Sequence, residues 1–219
     1  MGTKEILKEI LQYNDAFVRS HGAQDFAPYQ SAQHPFLTLV TCADARIQTE
    51  VLLPGAIDKI FVIRNIGNQI VNAQGSVDYG VLHLRTPILL ILGHTGCGAI
   101  KAAMGDYSNE TFGIISELDH LHLPLNREEK EESFDTLWLK NTESNIHYQV
   151  EWALKCYKEK VTSGELTIIG AIYDFMNIYR KGFGRVIIIN LNGEKDPHII
   201  KDHHLLTDIN KEILKLCTL

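Results

Sequence analysis

Five short apolar runs limit what this chain can fold into: Phe36–Thr41, Ile60–Ile63, Ile88–Leu92, Leu166–Ile172 and Val186–Asn190. None alternates strictly between apolar and polar residues, so none reads as a strand with one wet face. Continuous apolar runs of this length mark strands covered on both sides. Helical patterns lie between them. Val77, Gly80, Val81 and Leu84 share one stripe of Ser76–Leu84, and Ile100–Met104 continues from a glycine-rich turn. Within 143–160, Ile146, Val150, Ala153, Leu154 and Tyr157 recur at helical spacing. Strands alternating with helices predict an α/β fold with a mainly parallel central sheet flanked by helices. The expected core order is 2-1-3-4, with room for a fifth strand at the edge.

The flanks read differently. Ile6, Leu7, Ile10, Leu11, Phe17 and Val18 recur among charges, so residues 3–20 form an amphipathic helix. Residues 1–30 are taken as an N-terminal helical arm. Residues 31–219 are taken as one α/β domain whose tail begins near 191 and returns to an amphipathic pattern at Leu205–Leu216. The stretch Gly105–Lys140 is mixed, and its Glu128–Glu132 run reads as a solvated helix face. There is no internal repeat or low-complexity linker.

Composition excludes some partners. The 219 residues carry a formal net charge of −6, which opposes binding to nucleic acid or an anionic membrane. The longest apolar stretches are far too short to span a bilayer. The first residues, Met1-Gly2-Thr3-Lys4-Glu5-Ile6, hold an early acid and no compact apolar signal core, so a cytoplasmic protein is expected. The four cysteines, Cys42, Cys97, Cys156 and Cys217, contain no C-x-x-C, and disulfides are not expected.

Two segments carry chemistry: Cys42-Ala43-Asp44-Ala45-Arg46 and His94-Thr95-Gly96-Cys97-Gly98-Ala99. The first closes run 1 and the second follows run 3. Open parallel sheets bind ligands beyond their carboxyl strand ends, where strand order reverses. In the order 2-1-3-4-5 that crevice lies between strands 1 and 3, so Cys42, His94 and Cys97 converge there. Two thiolates and an imidazole suit zinc, expected at one ion per chain. Three protein ligands leave a fourth position for water, as in catalytic zinc sites. Taken singly, Cys42 is a buried thiol and His94 a polar strand end. Gly93–Gly98 as an anion-binding turn ranks below zinc, because it lacks the ending of a phosphate loop and Lys101 comes too late. Arg46 beside Asp44 keeps the carboxylate ionised and holds it in one orientation. The alternatives are a surface ion pair, or Asp44 as the fourth ligand itself.

With these residues assembled, the chain resembles the beta-class carbonic anhydrases from about Gln33 to Asn190. The two segments above carry the resemblance, together with Arg64-Asn65-Ile66-Gly67-Asn68; weaker echoes are Asp78–Leu84 and Gly170–Phe175. Serine is more usual in the family where Ala43 and Ala45 stand. The resemblance implies zinc on Cys42, His94 and Cys97, an Asp44–Arg46 catalytic dyad, and reversible hydration of carbon dioxide. It also implies a plant-type substrate pocket lined by Gln33, Phe61 and Tyr79, since Leu39 replaces the tryptophan of the bicarbonate-regulated subtype. A homodimer or dimer-based higher oligomer follows, with Gln33 and Phe61 serving a neighbour's zinc. Hydrolysis of carbonyl sulfide or carbon disulfide on the same scaffold is the rival activity. A non-catalytic zinc-binding module is a distant third. His83 and His147 are proton-shuttle candidates by abundance alone.

Overall fold

Strands form on the five apolar runs, and every strand continues past the carboxyl end of its run. In the computed structural model, β1 is Leu37–Cys42, β2 Ile60–Asn65, β3 Ile88–His94, β4 Thr167–Asp174 and β5 Arg185–Leu191. The overhang carries Cys42, Asn65, His94 and Asp174 to the carboxyl ends of the first four strands. The order is β2-β1-β3-β4-β5. The first four strands are parallel, and β5 runs antiparallel to β4 as the fifth, edge strand. The structure describes residues 1–122 and 133–219. The Glu128–Glu132 run expected as a helix face lies outside the described residues.

Helices α1 (Thr3–Ser20) and α2 (Ala23–Phe26) precede the sheet; α3 (Gln74–Asp78), α4 (Gly98–Ala103), α5 (Phe112–Asp119) and α6 (Phe134–Thr162) follow β2 and β3. Helices α7 (Pro197–Lys201) and α8 (Lys211–Cys217) form the tail. The chain divides into two compact units, 1–34 and 35–219. In the first, Phe17, His21, Phe26 and Tyr29 form a chain of ring contacts. Helix α1 buries no residue within its unit and exposes Ile6, Leu7, Ile10 and Leu11.

In the second unit both sheet faces are covered, which explains the continuous apolar runs. Val40, Leu89, Ile91, Ile168 and Ile172 pack on one face against Ile146, Val150 and Ala153 of α6. Leu39, Leu90, Leu92 and Ala171 pack on the other against Ile100, Ala103, Leu118 and Leu121. The tail builds its own small cluster from Leu191, Ile200, Leu206 and Leu214.

Two elements differ from the sequence pattern. Helix α6 begins well before 143, capped by the Ser133 hydroxyl, which accepts from Thr136 N at 3.2 Å. The residues fully buried before 143, Asn141 and Thr142, are both polar, so apolar periodicity does not mark the helix start. Asn145 Nδ2 donates to the Gly67 carbonyl at 2.8 Å, and Gln149 Oε1 accepts from Ile70 N at 2.8 Å. The expected helix 76–84 is α3 followed by a wider π-turn at Tyr79–His83. Gly80 lies so close to β1 that a Cβ there would collide with Thr38. Among the described residues no helix is long and apolar enough to cross a membrane.

His147 on α6 gives the fold a pH dependence. Burial pushes its imidazole from the ordinary 6.5 down to about 4; Lys195 adds to the fall and Glu151 opposes it. The neutral ring accepts from Asn190 Nδ2 at 3.1 Å. Folding therefore favours the unprotonated ring. That stabilisation is full above pH 6.5, declines as pH falls, and is gone once pH drops below about 4. His147→Gln is expected to flatten the loss of stability between about pH 7 and 4.5. The gain over wild type is on the order of 1 kcal/mol, discounted for solvent reaching the half-buried ring, and is read from urea midpoints.

Candidate metal centre

Cys42 and His94 are the last residues of adjacent parallel strands. The register pairs Thr41 with Leu92, so Cys42 stands level with the Gly93–His94 step. Beyond His94 the chain reverses at Gly96, whose φ of +68° favours glycine. A Cβ at Gly96 would lie 2.8 Å from Met176 Sδ. The reversal returns Cys97 to the crevice at the start of α4. The donor atoms of Cys42, His94 and Cys97 all lie within 4.8 Å of one another, and all three residues are buried.

The state of each donor suits a soft metal ion. His94 Nδ1 lies 3.0 Å from the Thr95 carbonyl, which can only accept, so Nδ1 carries the proton. The lone pair is then on Nε2, which is buried without a hydrogen-bond partner. An unpartnered buried nitrogen is costly unless something coordinates it. The hydrogen bond from the Cys97 thiol is the main cause that brings Cys42 down to about 4, against the opposing effect of burial and with the Gly67 N–H assisting. The same hydrogen bond, together with burial, pushes Cys97 up, although Ile100 and Ala99 N–H groups oppose this. Cys42 is thereby the sulfur that ionises more readily. Two sulfurs and an imidazole nitrogen in a buried cluster fit zinc.

Asp44 and Arg46 form a fork beside this cluster. Arg46 Nε donates to Asp44 Oδ1 at 2.8 Å and Nη2 to Oδ2 at 2.6 Å, while Arg46 N donates to Oδ1 at 2.9 Å. Arg46 Nη2 also reaches the Gly96 carbonyl at 3.2 Å, tying the fork to the reversal between the donors. These bonds, chiefly the Arg46 side chain's, hold the Asp44 carboxyl at about 2. Asp44 Oδ2 lies 3.8 Å from His94 Nε2, so the carboxylate faces the donors. The Arg46 side chain is 51% exposed, so the pair adds little to stability; its effect is orientation.

Phe61 and Tyr79, two of the residues expected to line a substrate pocket, lie away from the donor set of their own chain. Phe61 and Tyr79 meet each other, with ring centroids 5.7 Å apart. Phe61 pairs with Thr38, near the amino-terminal end of β1, and Cys42 is that strand's last residue. The offset along the strand is roughly 13 Å, so Phe61 does not reach the donor set of its own chain. Gln33 lies exposed in the N-terminal unit. His83 is exposed with its ring against Tyr79, and His147 is engaged by Asn190.

Sequence reasoning passed over three contributors. Trp138 Nε1 donates to the Cys97 carbonyl at 2.9 Å. Asn145 holds the carbonyl of Gly67, the residue whose N–H faces Cys42. Phe175 stacks on Arg46 with the guanidinium carbon 4.5 Å from the ring centroid. Each comes from an element distant in sequence; only Phe175 had a signal, as the last residue of the Gly170–Phe175 echo.

Fold and site together define an α/β protein with a soft-donor metal centre at the switch point of its sheet. The family model described as carbonic anhydrase matches residues 37–179. Carbonic anhydrase 2 of Mycobacterium tuberculosis is 26% identical over 178 residues, spanning 76% of this chain and 86% of that protein. The carbonic anhydrase of Mycolicibacterium smegmatis is 37% identical over 86 residues, spanning 39% of this chain and 42% of that protein. The fold is similar to that of the Coccomyxa beta-carbonic anhydrase solved with acetazolamide. That likeness has a TM-score of 0.71 at 23% identity, over 90% of this chain and 91% of that one. A tetrameric beta-carbonic anhydrase of Sordaria macrospora gives a TM-score of 0.71 at 21% identity, over 84% of this chain and 97% of that one. The chain belongs to the carbonic anhydrase family, in its beta class.

The Gly96 turn gives a direct test of this geometry. Gly96→Ala is expected to destabilise the protein by about 1–3 kcal/mol, because an alanine there is held at positive φ against Met176. The denaturant midpoint should fall accordingly; an unchanged midpoint would contradict the strained turn.

Proposed function

We propose that the protein catalyses reversible hydration of carbon dioxide to bicarbonate and a proton, with one zinc ion held by Cys42, His94 and Cys97. The observation that carries this reading is the Asp44–Arg46 fork facing the unpartnered His94 Nε2. A metal that only braces a fold needs no oriented carboxylate beside it. When bound, zinc would supply Lewis acidity that brings the pKa of a water to about 7.

The chain's own residues do the rest. Asp44 accepts a hydrogen bond from the attacking water or hydroxide and so aims an oxygen lone pair at the carbon. With its carboxyl held at about 2, Asp44 orients that proton rather than taking it up near neutrality. Arg46 keeps Asp44 ionised and fixes its plane. The Gln33 amide donates to a substrate oxygen as charge develops there, and Phe61 with Tyr79 gives an apolar wall.

Gln33 and Phe61 act on the site of a neighbouring copy in a homodimer or dimer-based assembly. The roughly 13 Å offset of Phe61 from Cys42 along β1 supports this, as does the exposed apolar side of α1. A reducing, cytoplasmic setting suits two buried, unbridged thiols whose sulfurs lie within 4.8 Å.

Asp44→Asn keeps the donors and removes the oriented carboxylate. It is expected to retain about one zinc per chain and to lose roughly a hundredfold or more in hydration rate. Metal analysis and stopped-flow hydration measure the two. Full activity in the variant would remove Asp44 from the mechanism. Faster turnover of carbonyl sulfide than of carbon dioxide would replace the substrate but leave the site intact.

A further inference from the structure

Phe175 supplies neither a metal donor nor a proton-accepting group, yet it neighbours residues of both kinds. We propose that Phe175 is a positioning residue for the Asp44–Arg46 pair, its ring carrying the Arg46 guanidinium while packing beside the His94 imidazole. The inference rests on the hydration reading, because it assigns Phe175 a part in that reaction.

The geometry is specific. The Arg46 guanidinium carbon stands 4.5 Å from the Phe175 centroid. The His94 and Phe175 rings are 6.0 Å apart with planes at 28°. Tyr173 packs against Phe175 at 6.0 Å. The backbone under the ring is fixed as well. Phe175 follows Asp174, which is fully buried and ends β4. The Asp174 carboxylate accepts from Ile178 N at 3.0 Å and Tyr179 N at 2.9 Å, and its carbonyl accepts from Gly184 N at 2.9 Å. The turn that presents the ring is therefore tied down through both side chain and main chain.

Stacking suits a guanidinium because its N–H donors lie in the plane and stay available. Three of those donors go to the two Asp44 oxygens and the Gly96 carbonyl. An aromatic face under Arg46 restricts its swing, and so restricts the carboxylate that Arg46 grips. Asp44 Oδ2 lies 3.8 Å from His94 Nε2, so a small rotation of Arg46 changes what the carboxylate faces. Misplacements of that size reduce rates well beyond what they cost in stability.

The test compares the wild-type holoenzyme with Phe175→Leu and Phe175→Tyr. Three quantities are read: hydration kinetics, zinc content, and the ¹⁵N–¹H resonance of Arg46 Nε, assigned by its loss in Arg46→Lys. Phe175→Leu is expected to shift the Arg46 resonance, because the ring current is gone, and to lower kcat about tenfold with KM little changed. Zinc content should stay at that of wild type. Phe175→Tyr should restore both rate and resonance. Should Phe175→Leu fail to fold, Phe175→Met serves as the ring-less variant. A ring-less variant with wild-type kcat overturns the proposal, as does a loss of rate with an unmoved Arg46 resonance or one that Phe175→Tyr does not rescue. Absence of carbon dioxide hydration in wild type would instead defeat the hydration reading, while the Arg46 resonance would still report the stacking.

Discussion

Parallel pairing of β1 with β3, Leu37 opposite Ile88 through Thr41 opposite Leu92, sets the position of everything else in the site. These strands are not consecutive, so their pairing is where the strand order reverses and a crevice opens at the carboxyl edge of the sheet. Both strands run a residue or two beyond their apolar cores. That overhang delivers Cys42 and His94 to the same level, and one glycine reversal brings in Cys97. A register shift of one residue would turn Cys42 toward the opposite face of the sheet. The apolar packing of Leu39, Val40, Leu89, Leu90, Ile91 and Leu92, on alternate faces, prevents such a shift.

Buried polar donors are costly to place, and the structure holds them with hydrogen bonds rather than apolar contacts alone. Thr95 fixes the His94 tautomer, Gly67 faces the Cys42 sulfur, and Trp138 grips the Cys97 carbonyl. Trp138 and Asn145 are seven apart on α6, two turns along one face. A single helix therefore braces both the loop that presents Cys97 and the loop that faces Cys42. This explains why the buried face of α6 is polar at Asn145 and Gln149, whose amides hold the Gly67 carbonyl and the Ile70 N–H.

How much of this was legible in the sequence follows from the range of each interaction. The strands announced themselves because both faces of the sheet are covered, and the donors because they sit at strand ends with glycines beside Cys97. The Asp44–Arg46 fork is local, two residues apart, and could be read directly. The start of α6 could not, because the residues it buries fully, Asn141 and Thr142, are polar and break the apolar stripe. The π-turn at Tyr79–His83 was hidden because helical periodicity does not record a widened turn. Phe61 and Tyr79 illustrate the opposite limit. Their spacing fits the family pattern, but only the β1–β2 register reveals that Phe61 lies roughly 13 Å from its own chain's Cys42.

The central claim is that Cys42, His94 and Cys97 jointly hold a zinc ion in the working protein. X-ray absorption at the zinc edge on the purified, unchelated protein tests it most directly. The account predicts a first shell with two sulfurs and one imidazole nitrogen, completed by a light oxygen or nitrogen scatterer. A shell without sulfur, or one closed by four sulfurs, would contradict it.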